Sequence, residues 1–186
     1  MKTLKCVFVL LAFVGLLLVG CSNEQQSPVT PTDQNTLEKL VRVDFTAVTY
    51  PTFHIYPGEL TFPGGKMHLR NRIDSLHIES TNGFINSTKG IITYNVNGNA
   101  LGEGPAWGTI TFIPDANPEL EMSGTWNGQI TMTGASEWTL IAQLIGHIRG
   151  GTTNGIQVFW DIVVTYNEPT AYFWLGNATG YIQYNE

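Results

Sequence analysis

Cysteine is nearly absent: the 186-residue chain has 2, Cys6 and Cys21. The chain beyond Cys21 has none, so no intramolecular disulfide can brace its body. Basic residues are scarce as well, with 9 Lys and Arg against 15 Asp and Glu and a net charge of −6. Phosphate backbones are held by clustered Lys or Arg, so nucleic acid is not an expected partner. Past the N-terminal segment, no window keeps an apolar i, i+3, i+4, i+7 stripe for three turns, which leaves no room for a long helix. Signatures of metal, phosphate and acyl chemistry are missing too. There is no HExxH, no closely spaced Cys or His pair, no Gly-x-Ser-x-Gly elbow and no Gly-Lys-Ser/Thr after a glycine run. No metal, cofactor or catalytic residue is therefore assigned from the sequence.

What is there begins at the N-terminus. Lys2 and Lys5 precede an uninterrupted apolar or small run, Cys6 to Val19. Its length matches the core of an export signal, whereas a bilayer span needs about 20 residues. Leu18-Val19-Gly20-Cys21 closes the run and resembles the lipobox of bacterial lipoproteins. The resemblance implies cleavage between Gly20 and Cys21, a diacylglycerol on the Cys21 thiol and acylation of the new amine. Two or three acyl chains moor a protein firmly, at about 0.8 kcal/mol per buried methylene. Loss of Lys2 and Lys5 would take the net charge from −6 to −8. Ser22 to Thr36 is polar, with Pro28 and Pro31, and reads as a disordered tether. The expected organisation is 1–20 signal, 21–36 lipidated cysteine and tether, and 37–186 folded domain. Ser22 is not the Asp that retains lipoproteins at the inner membrane in known families, so a Gram-negative source implies the outer membrane.

The remaining 150 or so residues suit one domain able to bury a core unaided. Glycine (18 of the chain's 20) and turn residues punctuate it about every ten positions, the pattern of an all-β barrel or sandwich. Leu120 to Met132 alternates strictly, with Met122, Trp126 and Ile130 on one face and Glu121, Thr125 and Gln129 on the other. The Trp138–Ile148 and Ile156–Val164 rows follow, then a last strand near Ala178 to Tyr184. In the first half, Val41, Val43, Phe45 and Ala47 alternate up to Pro51, which is expected to end that strand. Met67, Leu69 and Ile73 give way to Leu76 and Ile78, so a bulge is expected near Asp74-Ser75. Ile91–Val96 and Trp107–Ile113 complete a count of eight to ten strands. A closed antiparallel barrel removes exposed edges and is the first choice; a sandwich is the alternative. Apolar residues on both faces of the later strands, such as Ile141 and Ile145 against the Trp138 row, predict self-association into a homo-oligomer.

Asn97-Gly98-Asn99-Ala100-Leu101-Gly102-Glu103-Gly104-Pro105-Ala106-Trp107-Gly108-Thr109, then Gly124-Thr125-Trp126-Asn127-Gly128 and Gly146-His147-Ile148-Arg149-Gly150-Gly151, resemble uncharacterised bacterial secreted proteins with an allene-oxide-cyclase-like barrel. The resemblance implies a small antiparallel barrel, and none of the cyclase's catalytic positions has a match here. Gly124-Thr125-Trp126 also looks like the Gly-x-Trp of lipocalins, though there it lies on the first strand.

Among candidate chemistry, His68, Arg70 and Arg72 are expected to share one strand face opposite Met67, Leu69 and Ile73. That face is either solvated or an anion-binding patch, since Arg presents a planar donor fork. Glu103, Glu137 and Asp161 are the acids of interest, without a paired base. Trp107, Trp126, Trp138, Trp160 and Trp174 fall mostly on apolar rows and are read as core, with Met122, Trp126, Ile130 and Met132 filling the interior. The function expected is a lipid-anchored envelope barrel that binds an envelope protein or another ligand. The alternatives are a calycin-type carrier of a small apolar ligand and a cyclase-like barrel enzyme.

Overall fold

Strict alternation of apolar and polar residues makes a strand one-faced, and a chain built almost wholly of such strands can hide every apolar face only by curling the sheet onto itself. The computed structural model describes residues 39–135, 137–150, 155–167 and 174–185. Gly20, Cys21 and the expected signal and tether lie outside the described residues, as do positions 168–173. The strands are β1 (Leu40–Tyr56), β2 (Glu59–Thr61), β3 (His68–Ser80), β4 (Ser87–Asn97), β5 (Gly104–Ile113), β6 (Glu121–Gly134), β7 (Glu137–Arg149), β8 (Ile156–Asn167) and β9 (Leu175–Asn185). A 3-10 turn, Pro63–Gly65, follows β2.

From β2 to β9 each strand pairs antiparallel with the next, and β1 pairs with both β9 and β3. Eight strands therefore form a closed up-and-down barrel, with β2 an extra strand on β3. Closure excludes the sandwich, in which the first strand would leave an open edge. The long alternating segment becomes β6, paired over almost its whole length with β5 and β7.

Two local expectations are corrected. Pro51 does not end β1: it sits opposite Leu76, buried, and the strand runs on to Tyr56. The β1–β3 register shifts just beyond it, between Pro51 and His54 and again before Tyr56. A residue without an N–H is tolerated in a ladder at such an irregularity. The bulge in β3 also lies elsewhere, with shifts between Leu69 and Arg72 and between Leu76 and Ile78. Asn71, at φ 55°, takes the left-handed turn that makes the first shift. Leu69 faces inward before it; Arg72, Asp74 and Leu76 line the interior after it, and Ile73 is turned outward.

The two ends of the barrel differ. At the end that carries Leu40, Asn185 and the loops after β3, β5 and β7, Phe112, Ile78, Ile85, Met122 and Ile148 are fully buried and plug the lumen. At the other end, where β1 meets β2, β4 meets β5 and β6 meets β7, the lumen stays open.

Candidate ligand-binding site

Above the plug lies a cavity of about 660 Å³, open at the end formed by the 57–67 segment and the β4–β5 loop. That volume falls within the usual range for small-molecule sites. The interior is thus not filled, as the row of large side chains predicted. Trp126 and Trp160 do bury their rings, but each is matched across the ladder by a glycine, Gly108 and Gly180. The large residue lies over the small one, leaving the centre clear. Trp126, Trp138, Trp160 and Trp174 are core and cavity wall at once, whereas Trp107, expected in the core, is exposed on the outward face of β5.

The wall has two chemistries. From β5 to β8 it is apolar, built by Ile110, Ile130, Leu140, Ala142, Leu144 and Ile162. Around β9, β1, β3 and β4 it is polar, with Trp174, Thr49, Arg72, Asp74 and Tyr94. Asp74 is wholly buried, and Arg72 Nε lies 3.3 Å from its Oδ1 and 3.2 Å from its Oδ2. His54, opposite Asp74 on β1, brings Nδ1 within 2.5 Å of Asp74 Oδ1, and Arg72 Nη2 lies 3.0 Å from the same nitrogen. Nδ1 thus stands between an acceptor and a donor, and the tautomer decides which it serves. Tyr94 packs edge-on to Trp126 and Trp174, at 5.5 and 6.2 Å between ring centres. Burial pushes its phenol well above the ordinary value, with the Asp74 carboxylate adding to the shift and the Arg72 guanidinium opposing it. Tyr166 is raised by burial as well, again opposed by Arg72. Both phenols are neutral hydrogen-bonding groups near neutral pH.

The rim is apolar. Leu60, Phe62 and Leu101 are more than half exposed and line the opening. The β4–β5 loop is held by its own hydrogen bonds. Glu103 accepts from Asn99 Nδ2 (2.9 Å) and from the Met132 backbone N–H (3.1 Å), and Trp138 Nε1 donates to the Leu101 carbonyl (3.1 Å).

The bulge at Asn71 splits the expected His68–Arg70–Arg72 face. Arg72 turns into the cavity beside Asp74. Arg70 stays outside, donating from Nη1 to the Leu69 and Val96 carbonyls at 2.8 and 2.7 Å and lying 5.4 Å from the Trp107 ring centre. His68 lies on the side of the strand opposite Met67 and Leu69, which line the cavity. The three residues do not form one patch, because a bulge inverts the facing of every residue beyond it. Glu137 is bonded by the Thr133 hydroxyl, and Asp161 is exposed and bonded by Gln143 Nε2. Neither lines the cavity. Thr49, His54, Asp74 and Tyr94 were not anticipated as site residues. One signal was available for Asp74, since it shares even numbering with Leu76 and Ile78 and so their inward face.

Compared with protein-family models, with curated proteins and with solved structures, the chain matches none. The eight-stranded barrel is compatible with a calycin-like architecture.

Proposed function

We propose that this protein is a ligand-binding barrel that takes a small, largely apolar molecule into its interior. The observation that carries the reading is the apolar-walled cavity of about 660 Å³ entered past Leu60, Phe62 and Leu101. Burying apolar surface contributes about 25 cal/mol per Å², so a ligand enclosed against this wall gains its affinity mainly from desolvation. Native mass spectrometry of the gently purified domain tests this directly, as does titration with the neutral probe N-phenyl-1-naphthylamine. Ala142→Leu would place a larger side chain on the cavity wall, and we expect it to lower probe affinity while far-UV circular dichroism stays unchanged. A probe that binds the wild type and the filled variant equally well would sink the reading.

The same proposal keeps the barrel at the cell envelope, on a lipid carried by Cys21, with the outer membrane as its site in a Gram-negative host. Leu18-Val19-Gly20-Cys21 supports this, and Cys21→Ser should abolish incorporation of labelled palmitate. The glycine and tryptophan punctuation from Asn97 to Gly128 supports an allene-oxide-cyclase-like variant of the barrel. No catalytic activity is carried over with it.

A further inference from the structure

The cavity wall holds more hydrogen-bonding capacity than the protein itself uses. Five buried side-chain atoms make no hydrogen bond of good geometry among the described residues: Thr49 Oγ1, Asp74 Oδ2, Tyr94 Oη, Trp160 Nε1 and Trp174 Nε1, although the Trp174 N–H approaches the Tyr94 oxygen closely enough to oppose its pKa rise. All five residues line this one cavity. Asp74 Oδ2 is near Arg72 Nε, but the angle does not make a hydrogen bond. Native interiors rarely leave such groups unmatched, because each costs about 1–3 kcal/mol. Gathered on one surface, they describe the partner that would satisfy them.

We infer that the ligand is a neutral, oxygen-bearing hydrophobe, such as a ketone, ester or alcohol, whose oxygen meets Tyr94 and Thr49 while its hydrocarbon body lies against β5–β8. This rests on the reading of the cavity as a ligand site. The donor excess sets the first half of the inference. Even with the Trp174 N–H turned to the Tyr94 oxygen, the Trp160 N–H can only donate and the two hydroxyls can donate, against one free carboxylate oxygen, so the ligand must bring acceptors. The charge state follows from Arg72 and Asp74. These two already neutralise each other, and Asp74 is fully buried. A carboxylate ligand would add a second anion beside Asp74, and an amine a second cation beside Arg72, both at high desolvation cost. The asymmetry of the wall sets the orientation, because Thr49, Arg72, Asp74 and Tyr94 sit on β1, β3 and β4, with Trp174 just before β9, and face a wall on β5–β8 that is apolar apart from the Trp160 N–H and the Tyr166 hydroxyl.

A matched series tests this: cyclododecane, cyclododecanone and cyclododecanecarboxylate, titrated at neutral pH into the purified domain and followed by tryptophan fluorescence. The ketone is better hydrated than the hydrocarbon, so in a wall without matching donors it would bind far more weakly. We expect it to bind at least as tightly as cyclododecane, and the carboxylate to bind weakest. Tyr94→Phe should weaken the ketone about five- to tenfold, the worth of one net hydrogen bond, and leave cyclododecane unchanged. Should Tyr94→Phe fail to fold, Thr49→Val makes the same comparison. A ketone much weaker than the hydrocarbon, a carboxylate tighter than both, or variants that weaken ketone and hydrocarbon alike would each overturn the inference while leaving the cavity as a ligand site. If no member of the series binds, the ligand-site reading falls with it.

Discussion

Asp74 and Arg72 show how one residue's facing decides its chemistry. Were the β3 bulge at Asp74-Ser75, Arg72 would be a solvated surface cation. With the bulge at Asn71, it is half-buried against a carboxylate with no exposed surface. Removing one partner of such a pair leaves an uncompensated charge, at a cost of about 3–5 kcal/mol, whereas replacing both by apolar groups is far cheaper. We therefore expect Asp74→Leu to lower the urea midpoint sharply and Arg72→Met/Asp74→Leu to recover much of the loss. A double variant no more stable than the single one would show that the pair does not act as a unit. Glu103 makes the second argument at this scale. Its hydrogen bonds from Asn99 and the Met132 N–H lower its pKa below the usual 4.5. A depressed carboxylate stabilises the fold above the unfolded pKa, and that contribution is lost as pH falls through the folded value. Glu103→Gln should consequently narrow the gap to wild type as pH drops from 6 towards 3.5, in urea melts run across that window. Parallel curves would mean the bonds to Glu103 carry no net stability.

Among the strands, the pairing of large and small residues is what keeps the lumen open. Trp126 faces Gly108 on β5 and reaches past it, its Nε1 donating to the Thr93 carbonyl at 3.1 Å. A Cβ on Gly108 would stand 1.8 Å from that same carbonyl oxygen and 2.7 Å from the indole nitrogen. Gly108→Ala must therefore displace β4 or expel the indole, and forced repacking of this kind typically costs about 1–3 kcal/mol or more. The expected result is a lower thermal midpoint together with a red-shifted tryptophan emission; an unchanged spectrum would refute it. On the outside of β7 and β8, Ile141 pairs with Val163 and Ile145 with Phe159, and Ile141 and Ile145 are more than half exposed. These are the outward apolar residues read from the sequence. Being already in contact with solvent, Ile141 and Ile145 should tolerate change to Thr with a shift within about 0.5 kcal/mol by urea melt.

The whole barrel has no free end from which to unravel, because β1 is bonded to β9 on one side and β3 on the other. Pulling any barrel strand away breaks two ladders and opens the plug. Unfolding should then be a single transition, with circular dichroism and tryptophan fluorescence superimposing. Two separated transitions would show that the open half melts apart from the plugged half.

The amino-acid pattern by itself determined the all-β class, the strand positions from β4 to β9 and the inward rows of Trp126, Trp138 and Trp160, and favoured a barrel over a sandwich. Each of these depends on a period of two along the chain, which is local. Tertiary structure alone decided that the sheet closes on itself, that Arg72 turns inward beside Asp74, that Pro51 lies within a strand, and that glycines across the ladder hold the lumen open. Those outcomes depend on register and on which residue lies opposite which, and a single bulge reverses the facing of everything beyond it. For that reason the site residues Thr49, His54, Asp74 and Tyr94 became visible only once the strands were paired.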